Sequence, residues 1–91
     1  MKPAQIKARK REFNYLLLPM KEMLRHRKES LAIAEWTTFV ESIKNSIIRN
    51  PGQHLGADLP SKKVIAAILD SIFEEFVSET LSKSDQLEIS N

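Results

Sequence analysis

Two short runs in this sequence carry the residue types that meet anions: "KARKR" at 7–11 and "RHRK" at 25–28. Lys7, Arg9, Lys10 and Arg11 in the first, and Arg25, Arg27 and Lys28 in the second, can neutralise phosphates. Doing so would release condensed counterions and make binding depend on salt. A solvated, frayed chain end has the same composition, so the runs alone name a chemistry and not a partner. Their surroundings sharpen the reading. Residues 1–28 hold nine Lys/Arg against Glu12 and Glu22, a balance of +7, whereas residues 29–91 hold five against ten acids, a balance of −5. A basic end joined to an acidic body points to an anionic partner and leaves the body free for other contacts.

Other chemistry is sparse. Phe13, Tyr15 and Trp36 can stack on bases, but their spacing among Leu and Ile favours core packing. Glu74, Glu75 and Glu79 form an acidic helical face with no His, Cys or glycine-rich phosphate loop beside it, which reads as solvated surface or as a docking face for another protein. Catalysis is not expected. His26 lies in a basic run and His54 in a turn-rich stretch, neither with a ligand companion, so no metal or other cofactor is expected. There is no cysteine, in keeping with a reducing, cytoplasmic setting. The apolar runs at 16–18 and 64–69 are too short to span a bilayer, so no membrane insertion is expected. The segment "MKPAQIKARKREF" lacks the apolar core of a secretory signal. A surface-lying amphipathic helix is a third use of basic and apolar residues together, disfavoured because the apolar positions are needed for a core.

The elements that must position these groups are helices. Phe13, Leu16, Leu17, Met20 and Leu24 recur at helical spacing within residues 4–28. Pro19 interrupts them and predicts a kink, or a restart with proline in the first turn. Ser30 is placed to cap a second helix. There Ile33, Trp36, Val40, Ile43 and Ile47 fall at 3-4-3-4 spacing, with Phe39 and Ile48 widening the stripe. "NPGQHLGADLP", residues 50–60, holds both glycines and two of the four prolines and reads as a loop. Ser61 caps a third helix carrying Val64, Ile65, Ile68, Leu69, Ile72, Phe73, Phe76 and Val77. So wide an apolar face on a 91-residue chain predicts a homodimer, with Ile65, Ile68, Leu69, Ile72, Phe73 and Phe76 at the interface. In "SKSDQLEISN", Leu87 and Ile89 alternate with polar residues in the manner of a short strand.

The stretch "LPSKKVIAAILDSIFEEFVSETLSKSDQLEIS" resembles the second helix and first strand entry of the HU/IHF family of DNA-bending proteins. The matching positions are Leu59, Ser61, Lys62, Ala66, Ala67, Leu69, Asp70, Phe73, Glu79, Leu81, Lys83, Asp85, Glu88 and Ile89. The preceding "TFVESIKNSIIRN" stands where that family has its first helix. The resemblance covers about a third of the chain and implies an intertwined dimer that binds DNA. The family's β-arms have no counterpart here, and Ser84 stands where the family has glycine, so no DNA-contacting residue carries over.

The expected molecule is therefore a single all-α domain over 1–91, with three main helices, a basic N-terminal segment at 1–28 and a loop at 50–60. Its expected function is small regulatory or architectural nucleic-acid binding, with a phage- or plasmid-type protein–protein adaptor or inhibitor as the alternative.

Overall fold

The computed structural model describes residues 3–90, with side chains described from 4 to 82. It is all-helical, with no strand among the described residues. The elements in chain order are α1 (Pro3–Leu16), α2 (Leu18–Lys28), α3 (Ile33–Arg49), α4 (Pro51–Leu55) and α5 (Lys62–Ser90). The alternation at Leu87 and Ile89 lies outside the described side chains. No helix among the described residues is long and apolar enough to cross a membrane.

The first predicted helix is two helices joined at one residue. Leu17 sits at φ −93°, ψ 4°, between the two pieces. Hydrogen bonds of helical reach run into it and out of it: Leu17 N–H donates to the Phe13 carbonyl and Lys21 N–H to the Leu17 carbonyl, both at 2.9 Å. Pro19 lies in the first turn of α2, where its missing N–H costs no intrahelical bond and its fixed φ suits the helix. The chain bends there and keeps Phe13, Leu17 and Leu24 in the core. Leu16 is turned outward instead.

Ser30 does not cap α3. Its hydroxyl donates back to the Arg27 carbonyl at 3.3 Å, closing the end of α2. Ala32, in extended conformation, occupies the cap position, and no side chain bonds the first turn. Ser61 does cap α5: its Oγ accepts from Val64 N–H at 3.4 Å, and its carbonyl from Ile65 N–H at 3.0 Å.

The 50–60 stretch is not all loop. Pro51 opens α4 as a first-turn proline, and this short helix delivers Leu55 into the core at 1% exposure. Gly56 then ends it at φ 83°, ψ −163°, a backbone region essentially closed to residues with a Cβ.

The core explains why so little apolar surface is left on α5. α3 and α1 both pack on α5, α2 packs on α3, and α4 packs on α1 and α3. Ile65, Ile68, Leu69, Ile72, Phe73 and Phe76 are each 4% exposed or less within one chain. The surface that was the reason for expecting a second copy on this face is thus already covered by the chain's own helices. Each such side chain contributes roughly 1.5–3 kcal/mol by leaving water. Trp36 is fully buried and donates Nε1–H to the Leu24 carbonyl at 2.7 Å. That bond satisfies the one polar atom the indole brings inside, which would otherwise cost about 1–3 kcal/mol.

Candidate nucleic-acid interface

The seven predicted cations divide by what they already touch. On α1, Arg9 and Lys10 point toward the body. Arg9 Nη2 donates to the Asp58 carbonyl at 2.8 Å, and its Nη1 lies 3.8 Å from Glu12. Lys10 Nζ is 2.6 Å from Glu75 Oε1. These two contacts pin α1 to the turn before α5 and to α5 itself. Lys7 and Arg11, by contrast, are exposed and have no recorded partner among the described residues.

Helix geometry explains the split. Phe13 and Leu17, at i and i+4, set the buried side of α1. Lys7, Arg11 and Tyr15 also stand four apart, about 6 Å of axial rise per step, on another face. Tyr15 is two residues from both Phe13 and Leu17, hence about 200° around the helix from each. It is 73% exposed. Phe13 and Trp36 lie in the core, as their spacing predicted; Tyr15 does not. Its even offset from the two buried residues was the available signal. Ala4 and Ala8, both exposed, share the outward face and leave its backbone open to close approach. Glu12, four residues after Ala8, borders this face and lies 3.8 Å from Arg9 Nη1.

The second run is used differently. Arg25 Nη1 is 3.2 Å from Glu22, and its guanidinium lies 5.4 Å from the centroid of the Phe76 ring. The Arg27 guanidinium is 5.9 Å from the Phe39 ring centroid. Lys28 is half-buried. Arg25, His26, Arg27 and Lys28 all fall in the last turn of α2, where cations offset the partial negative charge of the unpaired carbonyls. This run therefore closes a helix and covers aromatic rings.

Folding also recruits cations that the sequence reading did not group with the first run. Lys63 lines the same groove between α1 and α5 as Ile6 and Lys10, and Lys62 beside it is exposed. Only the packing of α1 on the start of α5 brings them together; the "SKK" of residues 61–63 reads locally as a cap followed by two surface lysines.

The acidic face of α5 is partly a seam. Asp70 holds Lys44 of α3 at 2.9 Å, and Lys44 also reaches Glu41 at 2.9 Å. Burial alone would lower the Lys44 pKa, but the hydrogen bonds that its ammonium donates to Asp70 and Glu41 outweigh it and leave the pKa raised. Lys21 shows the opposite balance. Its burial, reinforced by the Arg25 charge, outweighs the pull of Glu79 and Glu75 and lowers its pKa. Glu75 is taken up by Lys10, while Glu74, Glu75 and Glu79 all remain exposed. Among the described residues, no group of three or more His, Cys, Asp or Glu is placed to hold a metal ion.

Comparisons with known proteins found no matching family model, no matching curated protein and no matching solved structure.

Proposed function

We propose that this chain is a small, non-enzymatic nucleic-acid-binding protein that sets the outward face of α1 against phosphates. The observation that carries the reading is the free pair Lys7 and Arg11. They are exposed, four residues apart on one line of α1, and neither has a partner among the described residues. Lys63 adds charge beside Lys10 at the α1–α5 groove, on the side of α1 that meets the body. Such contacts fix position and supply affinity without reading sequence.

The test is retardation of a mixed-sequence nucleic acid at low salt, with binding followed as salt is raised. Neutralising two phosphate contacts in Lys7→Gln/Arg11→Gln lowers the slope of log affinity against log salt by up to about 1.8 for duplex DNA. An absence of binding at low salt, or a slope indifferent to the double change, would overturn the reading.

One observation favours a second reading, an adaptor or inhibitor that docks through α5. Glu74, Glu75 and Glu79 are exposed together there, beside Ser71 and Ser78. Changing the three to Gln would abolish such docking and leave nucleic-acid affinity equal or improved. Of these three, Glu75 is already paired with Lys10, and Asp70 nearby with Lys44, though both stay exposed.

A further inference from the structure

A phosphate-binding face needs cations, and it does not need an exposed aromatic ring. The outward face of α1 has one. Tyr15 is the chain's single tyrosine, it is 73% exposed, and it continues the line of Lys7 and Arg11 at the same four-residue step. No hydrogen bond or ring contact to another described residue accounts for its position. Leu18, just past the joint at the start of α2, is 47% exposed as well. A large ring left in water on a cationic face forgoes the burial that its two aromatic neighbours in sequence pattern, Phe13 and Trp36, obtain.

From this arrangement we infer that the nucleic acid bound by α1 is single-stranded, with Lys7 and Arg11 on successive backbone phosphates and Tyr15 stacked on an unpaired base. The inference rests on the nucleic-acid reading given above and narrows it to one class of ligand. Three features of the face agree with it. A duplex keeps its base faces stacked internally and offers a ring on the helix surface nothing to lie against, whereas a single strand presents a π-face at every nucleotide. The cations stand to one end of the ring, so a strand running along α1 meets charge first and the ring after. Ala8, between the two charges along the helix, is small and exposed and lets the backbone lie close there. Stacking of this kind tolerates any base, so no sequence preference is expected.

The test uses the full chain with two probes in parallel: an oligo(dT) strand of about 16 nucleotides and a mixed-sequence duplex of matched length. Affinities are measured by filter retention for the parent protein, Tyr15→Leu, Tyr15→Phe and Lys7→Gln/Arg11→Gln. Tyr15 is exposed, so Leu keeps the apolar bulk and removes only the aromatic face. Parallel circular-dichroism melts check that each variant folds. The expected result is that the strand binds more tightly than the duplex and that Tyr15→Leu weakens strand binding about 5- to 150-fold. Duplex binding should stay within about twofold, and Tyr15→Phe should retain strand affinity. If Tyr15→Leu binds the strand as the parent does, or weakens strand and duplex alike, stacking is overturned. In that case the loss of both affinities in Lys7→Gln/Arg11→Gln still upholds the phosphate reading. Tighter binding of duplex than of strand also overturns the inference and leaves the phosphate reading standing. Failure to bind either probe at low salt overturns both.

Discussion

The two basic runs have nearly the same composition and opposite employment. In residues 25–28, Arg25 lies over Phe76 and pairs with Glu22, Arg27 lies over Phe39, and the run as a whole closes α2. In residues 7–11, two cations pin α1 to the body and the other two, Lys7 and Arg11, meet only solvent among the described residues. Counting charge treats the runs as one footprint. Listing what each charge already touches separates a structural run from an available one. A cation stacked on a ring or paired with a carboxylate must break that contact to reach a ligand, whereas a free one gives up only its water.

The strongest way to break this contrast is to remove a platform under the second run. Phe76 is 4% exposed, faces Arg25, and lies 6.0 Å from Trp36 between ring centroids. Phe76→Ala should cost about 3–5 kcal/mol of stability, read from urea unfolding. A loss under about 1 kcal/mol would mean that this end of the core is not packed as described.

Next in size is Lys7→Gln/Arg11→Gln. Losing the release of about 1.8 counterions corresponds to a roughly 50-fold weaker affinity for duplex DNA near 0.1 M salt. Stability should stay within about 0.5 kcal/mol, as for exposed substitutions away from any structural contact. Arg25→Gln/Arg27→Gln should invert that pattern. Two exposed cation–π contacts at about 0.5–1 kcal/mol each predict a stability loss of about 1–2 kcal/mol, with a much smaller change in salt slope. Equal effects of the two double changes on the slope would restore the single-footprint picture.

Pro19 sits at the joint between the runs. Because it already occupies a first-turn position, Pro19→Ala should be destabilising by about 0.4–1 kcal/mol, through greater freedom of the unfolded chain. A variant more stable than the parent would show that proline strains the joint.

The smallest expected effect is a matched pair of alkaline responses. Lys44 has a raised pKa, set by Asp70 and Glu41 against the opposing effect of burial. Its contribution to stability is therefore complete below its ordinary value of 10.5 and fades as pH rises through the raised one. Lys21 has a lowered pKa, chiefly from burial. Its unfolded form binds the proton more tightly, so its contribution grows as pH climbs from the lowered value toward 10.5. Lys44→Met should flatten the first trend and Lys21→Met the second, in melts taken from neutral to alkaline pH. A Lys44→Met protein whose melts keep the parent's alkaline decline would show that the Asp70 contact does not raise the pKa.

Much of this fold was legible because helix periodicity is local. The 3-4-3-4 stripe through Trp36, Val40 and Ile47 found the inner face of α3, and Ser61 was recognisable as a cap. Ser30 was not a cap, because its hydroxyl had a nearer acceptor in the α2 carbonyl of Arg27. α4 was hidden by its own punctuation: Pro51, Gly52 and Gly56 signal a turn, yet a proline at the first position is compatible with one helical turn, enough to bury Leu55. The wide face of α5 was visible, but how many neighbours cover it is a property of packing and not of local pattern. The candidate site was half legible. Lys7 and Arg11 were named, but nothing local told them from Arg9 and Lys10, whose partners Asp58 and Glu75 lie 49 and 65 residues away.

The sealed position of Trp36 has a practical consequence for anyone working with this molecule in solution. The chain has one tryptophan and one tyrosine, the first enclosed and the second on the open side of α1. Indole emission therefore comes from a single dry site and should shift to the red only when the core opens. Phenol emission comes from a single wet site and should be quenched by whatever settles on α1. One spectrometer cell then holds two independent gauges, one of folding and one of occupancy. A titration that dims the tyrosine while the tryptophan maximum stays fixed would report a ligand landing on an intact fold.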